Sequence, residues 1–195
     1  MNLIGPGSEW FWAAAQFVLV AVSLVGIYRQ LKAQGSANAM QRLSTLHDRW
    51  NSERLVRVRL KLAIGLRHGG GEAVAPLLGP VTDFFEDIAL LEARGHVSRH
   101  EIWIDWNRTI EFWWTVLEPE IRRQRVHYPG EFERFERLTE RMVELDRRSS
   151  QRNTFDPDTV RRTLDDIIEA LTASLRLELE ARAGHLPSLP PSPAE

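Results

Sequence analysis

The chain has 195 residues and no cysteine, which leaves room for one modest domain and excludes disulfides and thiolate metal sites. Its 25 Lys and Arg stand against 27 Asp and Glu, a formal net charge of −2 that excludes a uniformly basic nucleic-acid binder. The balance hides a split: residues 29–71 hold nine basic groups against two acidic ones, residues 72–195 hold 16 against 24.

The run from Trp10 to Tyr28 is nineteen residues without a formal charge. As a helix it extends about 28 Å, close to the hydrocarbon thickness of a bilayer. Trp10 and Trp12 at one end and Tyr28 at the other suit the headgroup level, and Gln16 and Ser23 are the only polar interruptions. A cleaved signal peptide fits poorly: residues 1–9 contain Glu9 but no Lys or Arg, and Ala37-Asn38-Ala39 lies too far past the apolar run to serve as its cleavage site. A spanning helix is the expectation. The basic excess after Tyr28 orients it with the N-terminus outside and the bulk of the chain cytoplasmic. Ala13, Gln16, Val20, Ser23 and Ile27 follow a 3-4 spacing, so Gln16 and Ser23 are candidates for a contact between two copies of this helix. The basic segment beyond it is expected to meet anionic lipid.

Everything after the anchor reads as helix, since no segment alternates with period two. The anchor helix is expected to continue through Leu31, Leu43 and Leu46 to Trp50. Asn51 or Ser52 then caps a helix from Glu53 to Arg67, with Leu55, Val58, Leu62 and Leu66 in one stripe and Arg54, Arg57 and Lys61 in another. Gly69-Gly70-Gly71 ends it and reads as a linker, because neither a Lys-Ser/Thr nor a preceding strand makes it a phosphate loop. Pro80 is expected to open a helix facing Phe84, Phe85, Ile88 and Leu91 inward, with Gly95 as its stop. Ser98 and Glu101 form a capping box for a long helix whose Trp103, Trp106, Ile110, Trp113 and Leu117 repeat at 3-4 spacing, with Trp114 off the seam. Pro119 is expected to start or kink a further stretch. A helix from Glu131 to about Arg148 buries Phe132, Phe135, Leu138, Met142 and Leu145, and Asp156-Pro157 opens the last, with Val160, Leu164, Ile167, Leu171 and Leu175 inward. The tail from Gly184 is rich in proline and is expected to be disordered.

Motifs for chemistry are scarce. There is no nucleophile elbow, no HExxH and no Glu-x-x-His, so no catalytic residue, metal ligand or cofactor is expected. His96 and His100 could share a helical face, but no carboxylate joins them by spacing. Glu86, beside the core aromatics of FFEDI, is the acid closest to the expected core. A buried carboxylate needs a cation, and Arg57 or Arg59 is the expected partner in a structural ion pair.

Three stretches, QFVLVAVSLVGIYRQLKAQGSANA, FFEDIALLEARGHVS and FWWTVLEPEIRRQR, together resemble a family of uncharacterised bacterial single-pass membrane proteins. The resemblance covers roughly residues 10–127 and implies an N-terminal spanning helix and a cytoplasmic helical domain; it carries no activity and no functional residue.

The expected fold is therefore all-α, one transmembrane helix followed by a cytoplasmic antiparallel helical bundle. The expected division is a short extracytoplasmic N-terminus (1–9), the transmembrane helix (10–28), basic juxtamembrane helices (29–71), a helical domain (72–183) and a disordered tail (184–195). The expected place is the bacterial inner membrane, and the expected role a non-enzymatic interaction or regulatory module. Its expected partners are lipid, a second copy or an unidentified protein, not nucleic acid. Two alternatives are an accessory subunit of a larger membrane complex, and a small-ligand sensor or enzyme with a pocket near Glu86 and the tryptophan-rich helix.

Overall fold

The computed structural model describes residues 9–71, 74–149 and 153–183, with residues 9 and 31–39 described by their backbone. The expected N-terminal flank (1–8) and Pro-rich tail (184–195) lie outside the described residues, as do the side chains of Leu31 and of Ala37-Asn38-Ala39. The described residues form six helices and no strand: α1 Glu9–Trp50, α2 Glu53–Arg67, α3 Ala75–Ala93, α4 Arg99–Arg125, α5 Glu133–Ser149 and α6 Pro157–Ala183. They fall into two compact units, one ending at Ser44 and the other beginning at Thr45.

The first unit is the greater part of α1. Trp10–Gln30 is long and apolar enough to cross a membrane, and no part of it is buried in protein. Its 21 residues extend about 31 Å. Large apolar side chains stand free on every side, Phe17, Leu19 and Val22 among them. The Ser23 hydroxyl donates to the Leu19 carbonyl at 2.8 Å, which satisfies it within its own helix.

The second unit takes in α2, which the sequence groups with the juxtamembrane segment, and it is built around Trp50. Residue 50 ends α1, and Ser52 caps α2, accepting from the Leu55 amide at 3.4 Å and donating to the Arg49 carbonyl at 2.7 Å. The Trp50 indole lies 4.7 Å from the Phe84 ring, 5.4 Å from Phe85, 5.8 Å from Trp106 and 6.2 Å from Trp113. These edge and tilted contacts are the geometries aromatic quadrupoles prefer. Helix α3 packs on α2, α4 and α5, α5 on α4, and α6 along α2. Ion pairs pin both ends of the last contact: Arg67 to Asp165 at 2.7 Å and Arg182 to Glu53 at 2.6 Å.

Local signals hold where they depend on a few neighbours. Gly95, at φ +67, closes α3: the His96 amide reaches the Leu91 carbonyl and the Gly95 amide the Glu92 carbonyl, both at 2.9 Å. The Ser98–Glu101 capping box is formed in both directions. Trp106, Ile110, Trp113 and Leu117 are buried, whereas Trp103 is half-buried and Trp114 packs edge-on against Phe135 at 5.1 Å.

Four expectations give way to packing. Helix α3 begins at Ala75 with Pro76 in its first turn, and Pro80 lies inside it. Pro119 lies inside α4, which runs on to Arg125 as one helix. Each proline removes one backbone bond, and buried flanking residues (Leu78 and Val81, Leu117 and Ile121) hold the helix together around it. In α2 the buried residues are Leu55, Val56, Arg59, Leu62 and Ala63, while Val58 and Leu66 are only half-buried. In α5 and α6, Leu145, Val160, Ile167, Leu171 and Leu175 are half-buried; Asp146 is buried instead of Leu145, and Leu164 is the fully buried member of the α6 stripe.

Candidate functional site

Arg59 stands where a core residue would. It follows Leu55 by four positions and precedes Leu62 by three, so it shares their helical face and is only 6% exposed. Its guanidinium lies 3.9 Å from the centre of the Trp50 ring, and its Nη2 donates to the Trp50 carbonyl at 2.6 Å. That carbonyl is one of those left unpaired at the C-terminal end of α1, where the helix dipole favours a cation. Nε is buried with no hydrogen-bond partner. Among the described residues no carboxylate pairs with Arg59. Burial lowers its pKa to about 10, which still leaves it charged at neutral pH.

This cation lines a cavity of about 240 Å³. Trp50 and Arg59 form one wall, Arg108, Thr109, Phe112 and Trp113 of α4 another, and Thr163, Ile167, Ala170 and Leu171 of α6 the third, with Phe155 completing it. The lining is chiefly aromatic and aliphatic, with two hydroxyls and two arginines. Arg108 is exposed and forms no ion pair among the described residues.

A second polar cluster lies beside the cavity, where α4 and α5 pack. Glu111 and Asp146 are both buried. The Asn153 amide donates to Glu111 Oε2 at 3.1 Å and to Asp146 Oδ2 at 2.9 Å; the Asn107 amide and Trp103 Nε1 donate to Asp146 Oδ1 at 2.9 and 2.5 Å. Glu111 Oε1 has no partner. Burial pushes the Glu111 carboxyl up to about 7; the Asn153 hydrogen bond opposes this, and the neighbouring Asp146 adds to it. Asn153 lies two residues before Phe155, whose ring meets Phe112 at 5.7 Å, so one short segment serves both the cluster and the cavity.

The expected pair of Glu86 with Arg57 or Arg59 is not formed. Glu86 accepts from the Phe135 amide at 2.7 Å and lies 3.6 Å from the Arg134 guanidinium. It caps the first turn of α5, whose free N–H groups and dipole attract a carboxylate. Arg57 pairs with Glu53 one turn earlier, and Arg59 turns to Trp50. Gln16 and Ser23 are both exposed on α1. His100 stacks on Trp103 at 5.5 Å, and among the described residues no group of three or more His, Asp or Glu could hold a metal ion. The three glycines act as a shaped turn: the Gly71 amide donates to Glu120 Oε1 at 2.8 Å, and a Cβ on Gly70 would lie 2.9 Å from the same oxygen.

Sequence reasoning named Arg59 only as an alternative to Arg57 for pairing with Glu86, not with Trp50, and it did not single out the buried Glu111 or Asp146. The signal for two of these three was present: Arg59 shares the Leu55–Leu62 stripe, and Asp146 follows Leu138 and Met142 at successive steps of four. No family model, curated protein or solved structure matches the chain. The class its own features define is an all-helical protein with one helix able to cross a membrane and a separate compact helical unit.

Proposed function

We propose that the chain is a membrane-tethered helical module that acts by binding rather than by catalysis. Trp10–Gln30 crosses the bacterial inner membrane, the N-terminus faces outside, and the helical unit works on the cytoplasmic face as an antiparallel bundle. The observation that carries this reading is that the apolar surface of Trp10–Gln30 is nowhere buried in protein, whereas the second unit buries its own aromatic core. Water does not tolerate an exposed apolar helix of that length, and lipid does. The basic groups from Arg29 to Arg67 supply the orientation and a contact with anionic lipid. Ion pairs at both ends of the α2–α6 contact support the antiparallel arrangement. A fluorescent protein fused after Glu195 is expected to glow in membranes that resist alkaline extraction. Release by alkali, or a fused alkaline phosphatase active outside the cytoplasm, would overturn the tether or its direction.

The Gln16–Ser23 face is assigned to a contact between two copies of α1. In this cysteine-free chain, a single cysteine at position 16 is expected to crosslink in membranes and one at position 18 is not; equal crosslinking removes the assignment.

A second reading, a sensor of a small ligand, is favoured by the Arg59 cavity. Its place differs from the sequence expectation, since it lies between α2, α4 and α6 and not beside Glu86.

A further inference from the structure

We infer that the cavity walled by α2, α4 and α6 binds a small monocarboxylate with an aromatic or branched apolar body, its carboxylate held by Arg59 with Arg108 beside it. The inference deepens the sensor reading and rests on it. It is independent of the membrane tether.

Charge is the first ground. A buried guanidinium is stable only when its charge and donors are answered, and natural structures answer them with a carboxylate or phosphate. Arg59 is 94% enclosed, yet among the described residues it finds only an indole face and one carbonyl oxygen. An aromatic face and a helix end offset part of the desolvation, and they leave the fork with unused N–H groups. Arg108 supplies a second cation on the same cavity, without an acid partner among the described residues.

Size is the second ground. A cavity of roughly 150 Å³ accepts benzene. The 240 Å³ here therefore suits a molecule of about ten non-hydrogen atoms. That is a ring or branched chain carrying one small polar head.

The lining decides the body and the head. Phe112, Trp113, Phe155 and Leu171 offer apolar contact around the site, and Thr109 and Thr163 offer hydroxyls. A planar carboxylate matches the guanidinium fork with one negative charge. A phosphate monoester would draw on the same two arginines and two hydroxyls, and the start of α6 adds no donors because the Asp156 side chain already accepts from the Asp158 and Thr159 amides, so a direct comparison with a phosphate decides between the two heads.

The test uses the full chain in lipid nanodiscs, with empty nanodiscs as the reference. Fluorine NMR of 3-(4-fluorophenyl)propionate is read against its neutral amide and against 3-(4-fluorophenyl)propyl phosphate. The acid is expected to bind at least tenfold more tightly than either. Arg59→Met is expected to abolish the preference for the acid over the amide, and Arg59→Lys to retain part of it. Because a core arginine variant can fail to fold, Ala170→Trp serves as a second probe: residue 170 is exposed on α6 at the cavity wall, so the indole fills the space without displacing core, and binding of the acid is expected to vanish while the thermal midpoint holds. Equal binding of acid and amide, or tighter binding of the phosphate, overturns the carboxylate class and leaves a ligand cavity standing. Absence of binding by all three, or binding that survives in folded Ala170→Trp, overturns the sensor reading as well.

Discussion

The two most apolar regions of this molecule have opposite fates. In Trp10–Gln30 the side chain of Phe17 is 74% exposed, whereas around Trp50 the rings of Phe84 and Phe85 have no exposure at all. Both regions are helical and rich in aromatic and branched residues. What separates them is the arrangement of polar residues around the apolar ones. The span has no polar face, so no single side of it can be turned to a core while another meets water. The helices of the second unit each carry a polar face, and their apolar stripes meet one another. Treatment of internal polar groups differs in the same way. Ser23 is satisfied inside its own helix, while Arg59, Glu111 and Asp146 rely on partners from other segments.

The largest expected effect comes from breaking the buried side of this contrast. Trp50→Ala removes the ring that four others pack on and is expected to destabilise the helical unit by about 3–5 kcal/mol, read as a fall in its thermal midpoint by near-ultraviolet circular dichroism. Phe17→Ala, equally aromatic, is expected to leave that midpoint unchanged. Next comes a charge on the exposed side. Val20→Arg lies at the middle of the span and is expected to oppose insertion by about 2.5–3.5 kcal/mol in a glycosylation or protease-protection assay. The same change at the exposed Leu177 of α6 is expected to do nothing there.

A smaller effect, and one that depends on pH, follows from Glu111. Its folded pKa of about 7 lies above the ordinary 4.5, so the folded state holds a proton that the unfolded chain has released. The stability linked to this group is fully present below about 4.5 and is lost as pH rises through about 7. Glu111→Gln is expected to match the parent near pH 4.5 and to exceed it by up to about 2 kcal/mol at pH 8, checked by urea unfolding at both values. An advantage that is equal at both pH values would remove the role of the proton. The smallest effect is local: Ser98→Ala is expected to cost about 1 kcal/mol through loss of the cap on α4, without changing the fold.

What could be read from the sequence was what depends on close neighbours along the chain. The uncharged run after Trp10, the Ser98–Glu101 box, the Gly95 stop and the Trp106–Leu117 seam are each fixed within a few turns, and the helices appear where those signals lie. The prolines mark the limit of such reading. Pro80 and Pro119 each remove one hydrogen bond, a local penalty that tertiary packing outweighs, so helices run through both.

By itself, then, the sequence determined an all-helical chain, its caps, and one helix fit for lipid, because spacing and charge act over a few residues. Only the tertiary structure decided that Glu86 caps α5, that Glu111 meets Asp146, and that Arg59 faces a cavity with no acid among the described residues to answer it. Those pairings join residues up to 49 positions apart. They are set by which helix faces come together, and a buried charge is defined by the whole of its surroundings.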